Sequence, residues 1–409
     1  VTNPAESVAA SAPRARLSGN VVALGTVSLF TDMSTEIVYP LLPLFLRALG
    51  ARFAFIGLVE GVAETTASLL KLASGWVSDR LGKRKAVVLV GYGLSSATRP
   101  LMALALAPWH VLAVRFLDRV GKGLRGAPRD AILADSTHPS IRGKAFGFHR
   151  AMDHAGAVIG PLIAFALLHT LFRPERGDVA TATYRLVFWA ATAPAAIAVL
   201  ALVLFVREVA PKRSDPSSRV RLSLRPFDAT FRQFLGVLVL FTLGNSSDAF
   251  LILRAQTLGV SALWMPILWV ALHVVKMSSS VPGSGWSDRV GRKRAIAVGW
   301  GLYALIYAGF AFAREEWHVW ALFALYGVYF GLTEGSEKAF IADLVPSDLR
   351  STAYGIYGFA VGMAAWPSSV LMGIVWEAFG VGTAFLWGSA LALAAMVWLS
   401  ALRVAPLRA

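Results

Sequence analysis

Long apolar runs alternate with short polar breaks along the chain, and each run is long enough for a helix to cross a hydrocarbon core about 30 Å thick. Twelve runs are read, at 19–46, 53–77, 86–107, 109–133, 143–171 and 183–206, then at 232–254, 259–286, 295–313, 317–342, 351–376 and 380–402. Between the sixth and seventh lies "REVAPKRSDPSSRVRLSLRPFDATFR", whose Pro, Ser and Arg content reads as a linker. The pattern predicts an all-α integral membrane protein of twelve transmembrane helices. Its parts are an N-terminal six-helix bundle at 1–206, a cytoplasmic linker at 207–231 and a C-terminal six-helix bundle at 232–409. Val1 to Arg16 reads as a polar tail rather than a cleavable signal, because no apolar core follows closely on a basic cluster.

Composition agrees with the pattern. Hydrophobic residues make up 56% of the 409 positions and charged ones 15%, and the mean hydropathy is +0.61, which is too apolar for a soluble globule. The absence of cysteine rules out disulfides and thiolate metal sites. Basic residues gather in "DRLGKRK" (Asp79 to Lys85), in the linker, in "DRVGRKR" (Asp288 to Arg294) and in both tails, which are alternate loops on one side. The positive-inside rule makes that side cytoplasmic, with both termini there, in a multi-pass protein of the inner (plasma) membrane. The net charge of +15 is then a topology signal, and no nucleic-acid partner is expected.

The two halves repeat. "FLDRVGKGLRGAPRDAILADSTHPSIRGKAFGF" (Phe116 to Phe148) aligns without gaps to "ALYGVYFGLTEGSEKAFIADLVPSDLRSTAYGI" (Ala324 to Ile356), pairing Gly123 with Gly331, Asp135 with Asp343 and Arg142 with Arg350. Each copy holds an even number of spans and starts on the same side, so the repeats are parallel. Two such bundles can rock about a site at the midplane.

"GWVSDRLGKRK" (Gly75 to Lys85) resembles the G-x-x-x-D-R-x-G-R-R loop of the major facilitator superfamily, and the likeness extends over essentially the whole chain. It recurs at Asp288, Arg289, Gly291 and Arg292, with Ser284 in place of the first Gly. The resemblance implies a gate that latches the inward side in alternating access, formed by Gly75, Asp79, Arg80, Gly82 and Lys83, with cations meeting Asp135. "RVGKGLRGA", from Arg119, resembles the R-x-x-Q-G-x-G motif of proton-coupled members, with Lys122 at the Gln position and Arg125 at a Gly position. "GAVIGPLIA" (Gly156 to Ala164) resembles the G-x-x-x-G-P motif of drug:proton antiporters through Gly156, Gly160 and Pro161. The plainer reading of that motif is that small residues four apart let two membrane helices approach.

Charge at bilayer depth survives only where it faces a bundle interior or a wet cavity and finds partners. Asp32 and Glu36 lie one turn apart on the first span, with Pro40 and Pro43 bending the helix beyond them, and Glu60 and Glu64 do the same on the second. An acid that trades a cation for a proton as the cavity changes exposure performs proton coupling. Asp32 is the expected carrier, and the family resemblance also implies Arg119 as its partner; Glu36, Glu60 and Glu64 are rivals. Lys122, Arg125, His149 and Asp153 in the first half, and Asp248, Tyr329, Glu334, Glu337 and Trp366 in the second, are candidate substrate contacts. Asp118 and Lys122, one turn apart, have a bland alternative in satisfying each other. His149, Asp153 and His154 do not share one helix face, so no metal is expected, nor any cofactor.

These readings converge on a monomeric secondary transporter that moves a small, amphipathic organic molecule by proton-coupled alternating access, as an exporter. Proton-coupled import or exchange of an organic anion competes, favoured by the cations of the fourth span. A membrane enzyme has no nucleophile-elbow or metalloprotease motif to support it.

Overall fold

The computed structural model describes residues 17–138, 141–171, 179–209, 224–346 and 349–402, without the side chains at 72, 75, 76, 79, 80, 143 and 351. Both tails, much of the linker and the expected gate residues Gly75, Asp79 and Arg80 therefore fall outside the described residues or side chains. Among the described residues the structure is helical, with no strand. The first half comprises α1 (Gly19–Val38), a 3-10 turn (Tyr39–Leu41), α2 (Leu42–Ala48), α3 (Phe53–Leu81), α4 (Arg84–Ala103), α5 (Pro108–Asp135), α6 (Arg142–Leu171), α7 (Thr181–Ala190) and α8 (Thr192–Phe205). The second comprises α9 (Ala229–Gly244), α10 (Ala249–Thr257), α11 (Met265–Val290), α12 (Arg292–Phe312), α13 (Glu316–Leu344), α14 (Arg350–Phe379) and α15 (Val381–Ala401).

Twelve spans result, because three of them are interrupted: α1 with α2, α7 with α8, and α9 with α10. Eight spans are apolar enough to cross a membrane on hydropathy and charge alone, and α4, α5, α11 and α13 are the more polar remainder. Pro40 opens the 3-10 turn that interrupts the first span. The interruption between α9 and α10 departs from the single run expected at 232–254. Its cause is the polar stretch Asn245–Ser246–Ser247–Asp248, whose side chains compete for backbone partners: the Ala249 N–H donates to Ser247 Oγ at 3.3 Å, and the Ser247 N–H to Ser369 Oγ at 3.2 Å.

The halves meet along α3 with α14 and α6 with α11. Small residues make the first seam tight. A Cβ on Gly61 would lie 2.7 Å from Trp366 Cδ1, and one on Gly373 would lie 2.5 Å from the Phe53 carbonyl oxygen. Thr65 Oγ1 donates to the Gly362 carbonyl at 2.6 Å, Phe53 stacks on Trp376 with centroids 4.7 Å apart, and Arg52 lies 3.8 Å from Glu377. The contacts of Arg52 and Phe53 with Gly373, Trp376 and Glu377 join the start of α3 to the end of α14 and seal the molecule at the end remote from the basic loops, while Gly61–Trp366 and Thr65–Gly362 carry the seam to mid-helix. Trp269 reinforces that seal from α11 by packing on Tyr39 at 5.1 Å.

Overpacking this seam should open it. Gly61→Leu places a branched side chain against Trp366, a clash of about 1–3 kcal/mol, and should shift the population toward a form open at the remote end. The cysteine-free sequence permits clean spin labels at Leu106→Cys and Phe312→Cys, both in exposed positions at that end. Their separation should lengthen in the Gly61→Leu background, and an unchanged distance distribution would refute the seam's role.

Candidate functional site

Charges on α5 recur every three or four residues, which puts Arg115, Asp118, Arg119, Lys122 and Arg125 on one broad face. The deepest of them form a closed network. Arg115 grips Glu60 of α3 through Nε at 3.2 Å and Nη2 at 3.1 Å. Asp118 accepts from Arg99 Nη2 of α4 at 3.0 Å and lies 3.7 Å from Arg115. All four side chains are buried, and two acids balance two arginines. Asp118 therefore does not pair with Lys122, as the one-turn spacing allowed, because Arg99 approaches it from another helix while Lys122 is exposed. Arg99 was absent from the sequence reading; its signal was a lone arginine inside the apolar run 86–107.

Beside this network a cavity of about 500 Å³ lies between the halves. From the first half, Asp32, Glu36, Glu64, Arg119, Lys122 and Arg125 line it; from the second, Asn245, Asp248, Trp269, His273, Lys276, Tyr326 and Phe330. Glu64 is 49% exposed there and pairs with Arg119 at 3.5 Å. Lys122 is exposed in the cavity as well. The expected Asp32–Arg119 pair is not formed: Arg119 is drawn to Glu64, and Asp32 has no ion pair or hydrogen bond among the described residues. Glu60, a rival carrier, is held in the buried network. Glu36 accepts from Trp269 Nε1 at 2.8 Å, a bond that crosses between the halves. Arg125 donates to Ser95 Oγ at 2.7 Å and lies 4.4 Å over the Tyr92 ring.

Gly156 and Gly160 seat α6 on α1 beside the two carboxylates of the first span. A Cβ on Gly156 would come within 2.5 Å of the Leu29 carbonyl oxygen and 3.0 Å of Asp32 Cβ; one on Gly160, within 2.5 Å of the Met33 carbonyl oxygen and 3.0 Å of Glu36 Cβ. Close approach of two helices is therefore the motif's visible use here. Pro161 follows within α6. Earlier in α6, Asp153 accepts from Ser28 Oγ and lies 3.5 Å from His149 Nδ1, so this pair ties α6 to α1 and does not line the cavity. Among the described residues no three metal-ligating side chains converge.

Several candidate contacts of the second half lie elsewhere. Tyr326 and Phe330 share the cavity-facing side of α13, and Tyr329, turned off that face, packs at 5.1 Å on Tyr303 inside the bundle. Glu337 is buried between Trp300 Nε1 and the Tyr357 hydroxyl, both donating at 3.0 Å. Trp366 belongs to the α3–α14 seam. Glu334 is not among the residues that line the cavity and pairs instead with Lys276 at 3.1 Å and Lys338 at 3.5 Å.

At the basic loops the halves use the same brace. Arg84, the first residue of α4, donates to Asp135 at 2.5 Å, and Arg292, the first of α12, donates to Asp343 at 2.7 Å. Asp288 lies 3.7 Å from Arg292, while Lys83 and Arg289 are exposed. The two turns differ by one residue: Gly82 and Lys83 separate the helices in the first half, and Gly291 alone does so in the second. Both glycines have positive φ, +66° and +93°. Each brace lies within one half, so it fixes its own loop.

Two six-helix halves around a charge-lined cavity are the architecture of a multi-pass membrane transporter. The family model of the Major Facilitator Superfamily matches residues 24–368 and 279–407. An uncharacterized MFS-type transporter of Methanocaldococcus jannaschii is 34% identical over 385 residues, covering 92% of this chain and 93% of that protein. The chain belongs to the Major Facilitator Superfamily. It is also similar to the multidrug resistance protein MdtH of Yersinia enterocolitica, 34% identical over 133 residues, 32% of this chain and 33% of the relative. Among solved structures it shares its fold with the nucleoside transporter NupG, with a TM-score of 0.80 at 14% identity over 93% of this chain and 99% of that one. The human organic anion transporter MFSD10 superposes with a TM-score of 0.67 at 18% identity, over 93% and 99%.

The buried network should respond to mutation as a unit. Glu60→Leu alone leaves Arg115 short of a buried partner and should cost about 3–5 kcal/mol, as should Arg115→Met. The double variant should recover much of that loss, since it removes both charges. Thermal unfolding of the detergent-solubilised protein tests this, and strictly additive losses would exclude coupling of the pair.

Proposed function

We propose that the protein exports a small amphipathic organic molecule by proton-coupled alternating access. The observation that carries this reading is Asp32, a carboxylate with no ion pair or hydrogen bond among the described residues, on the wall of a cavity that lies between two halves joined at the end remote from the basic loops. When such a cavity dries, either a cation or a proton must neutralise the carboxylate. Arg125, whose partners Ser95 and the Tyr92 ring are neutral, lines the same cavity, so Asp32 can exchange one form of neutralisation for the other as the halves rock. Glu36 and Glu64 are the alternatives, the first tied to Trp269 and the second to Arg119.

The positive-inside rule supports a cytoplasmic position for the end with the basic loops and for both termini, in an inner-membrane protein. The open cavity then faces inward and is ready to load from the cell. The bundles at 1–206 and 232–409 act as the two rocking bodies of one monomer, joined by the linker at 207–231. Asp79 and Arg80, with their counterparts Asp288 and Arg289, serve the inward gate. The likeness to MdtH, named for multidrug resistance, favours export over a third of the chain. A second reading, exchange or uptake of an organic anion, is favoured by Lys122, which stands exposed in the cavity. The direction of proton-driven flux separates the two.

Inside-out vesicles provide the test. A gradient acid inside should drive uphill accumulation of amphipathic fluorescent dyes by the wild type. Asp32→Asn should abolish that accumulation while dye binding changes by less than about tenfold, ~1.4 kcal/mol. Wild-type gradient dependence in this variant would move the proton to Glu36, Glu60 or Glu64. Accumulation under the opposite gradient would favour uptake.

A further inference from the structure

The first-half wall of the cavity carries Asp32, Glu36 and Glu64 beside Arg119, Lys122 and Arg125, and the second-half wall Asp248 beside Lys276, yet Lys122 and Asp248 are in no ion pair among the described residues. On α5, Arg119 is engaged by Glu64, and Arg125 by Ser95 and the Tyr92 ring. Lys122 between them is exposed to the cavity and makes no ion pair or hydrogen bond with any described residue. On the opposite half, Asp248 sits at the interruption between α9 and α10 and accepts from the Tyr326 hydroxyl at 2.7 Å. That donor is neutral. The cation on its wall, Lys276, is committed to Glu334 at 3.1 Å and lies 4.1 Å over the Phe330 ring. Beside them His273 lines the cavity with both ring nitrogens buried and without a hydrogen-bond partner.

Water solvates Lys122 and Asp248 while the mouth is open. Closure removes that water, and each charge then needs a counter-charge or incurs the cost of an unpaired ion at depth. A cationic ligand would satisfy Asp248 and leave Lys122 facing a like charge. An anionic ligand would satisfy Lys122 and leave Asp248 without a cation. A ligand that carries both charges on an apolar body satisfies both, with Trp269 and Phe330 among the rings of the wall to receive that body. Because Lys122 belongs to one half and Asp248 to the other, the same ligand would draw the halves together as it is bound.

We propose that the cavity takes a zwitterion with its charges at opposite ends of a ring or chain, its anionic end at Lys122 and its ammonium end at Asp248 and His273. This rests on the reading of the cavity as the substrate's path. A volume of about 500 Å³ suits such a molecule.

Three probes of one shape test it: para-(aminomethyl)benzoate, which is zwitterionic, para-methylbenzylamine, which is a cation, and para-toluate, which is an anion. Binding to the full chain in lipid nanodiscs should be at least about tenfold tighter for the zwitterion than for either analogue, a difference of ~1.4 kcal/mol or more. Asp248→Asn should reduce the zwitterion to the affinity of para-toluate, and Lys122→Gln to that of para-methylbenzylamine. Equal or tighter binding of a single-charge probe to the wild type, or no binding of the zwitterion at millimolar concentration, overturns the proposal without recourse to any variant. So does a zwitterion preference that persists in both variants. If the preference is found but no pH gradient drives flux, proton coupling is what fails and the zwitterion site stands.

Discussion

The rest of the first half depends on the pairing of Arg115 and Asp118 with Glu60 and Arg99. Each of these ions would cost about 3 kcal/mol or more at bilayer depth if left alone, and each is buried. Their geometry ties α3, α4 and α5 into one block, with Arg115 gripping α3 and Asp118 held from α4. Once these positions on α5 are fixed, the helical period decides the rest. Arg119, Lys122 and Arg125, one turn or more further along, are presented to the cavity by a helix whose rotation the network has already set.

Glycine contacts serve two different ends in the same molecule. Gly156 and Gly160 hold α6 to α1 within one half, at the backbone turns that carry Asp32 and Glu36. A contact of this kind can persist through a rocking motion, and it keeps the two carboxylates in place during it. Gly61 and Gly373 hold α3 to α14 across the halves, from mid-helix to the sealed end. On the proposed alternating access, those contacts would part as the remote end opens. The Glu36–Trp269 bond also crosses the halves there, so a carboxylate of the cavity is part of the seal. That arrangement gives the state of an acid a direct mechanical consequence.

Spans, repeats and loops were legible in the sequence because each is a property of consecutive residues. Runs of about 20 apolar positions set the twelve crossings, but two interior breaks are not evident in them: the one at Ala191 between α7 and α8, and the one at Asn245 to Asp248, four polar residues in an otherwise apolar run. Pairings were less legible. The spacing of Asp118 and Lys122 allowed a bond that Arg99 pre-empts from another helix, and Arg119 finds Glu64 rather than Asp32. Tyr329 differs from Tyr326 and Phe330 only by its angle around α13, yet that angle takes it out of the cavity. Such choices are made by neighbouring helices, whose arrangement no single stretch of sequence contains.

The repeat that makes the halves alike in backbone makes their difference in side chains informative. Under the ungapped alignment of α5 with α13, Arg119 corresponds to Gly327, Lys122 to Phe330, Arg125 to Thr333 and Asp118 to Tyr326. The cationic wall of one half thus stands opposite a wall of rings and hydroxyls in the other. Even the paired Arg129 and Asp130 have their signs exchanged at Glu337 and Lys338. The braces Arg84–Asp135 and Arg292–Asp343 are by contrast kept in both halves, where each fixes the loop of its own half. On the proposed function, symmetry is retained where the two bodies would move alike, and it is lost where a ligand would be held in one orientation between them.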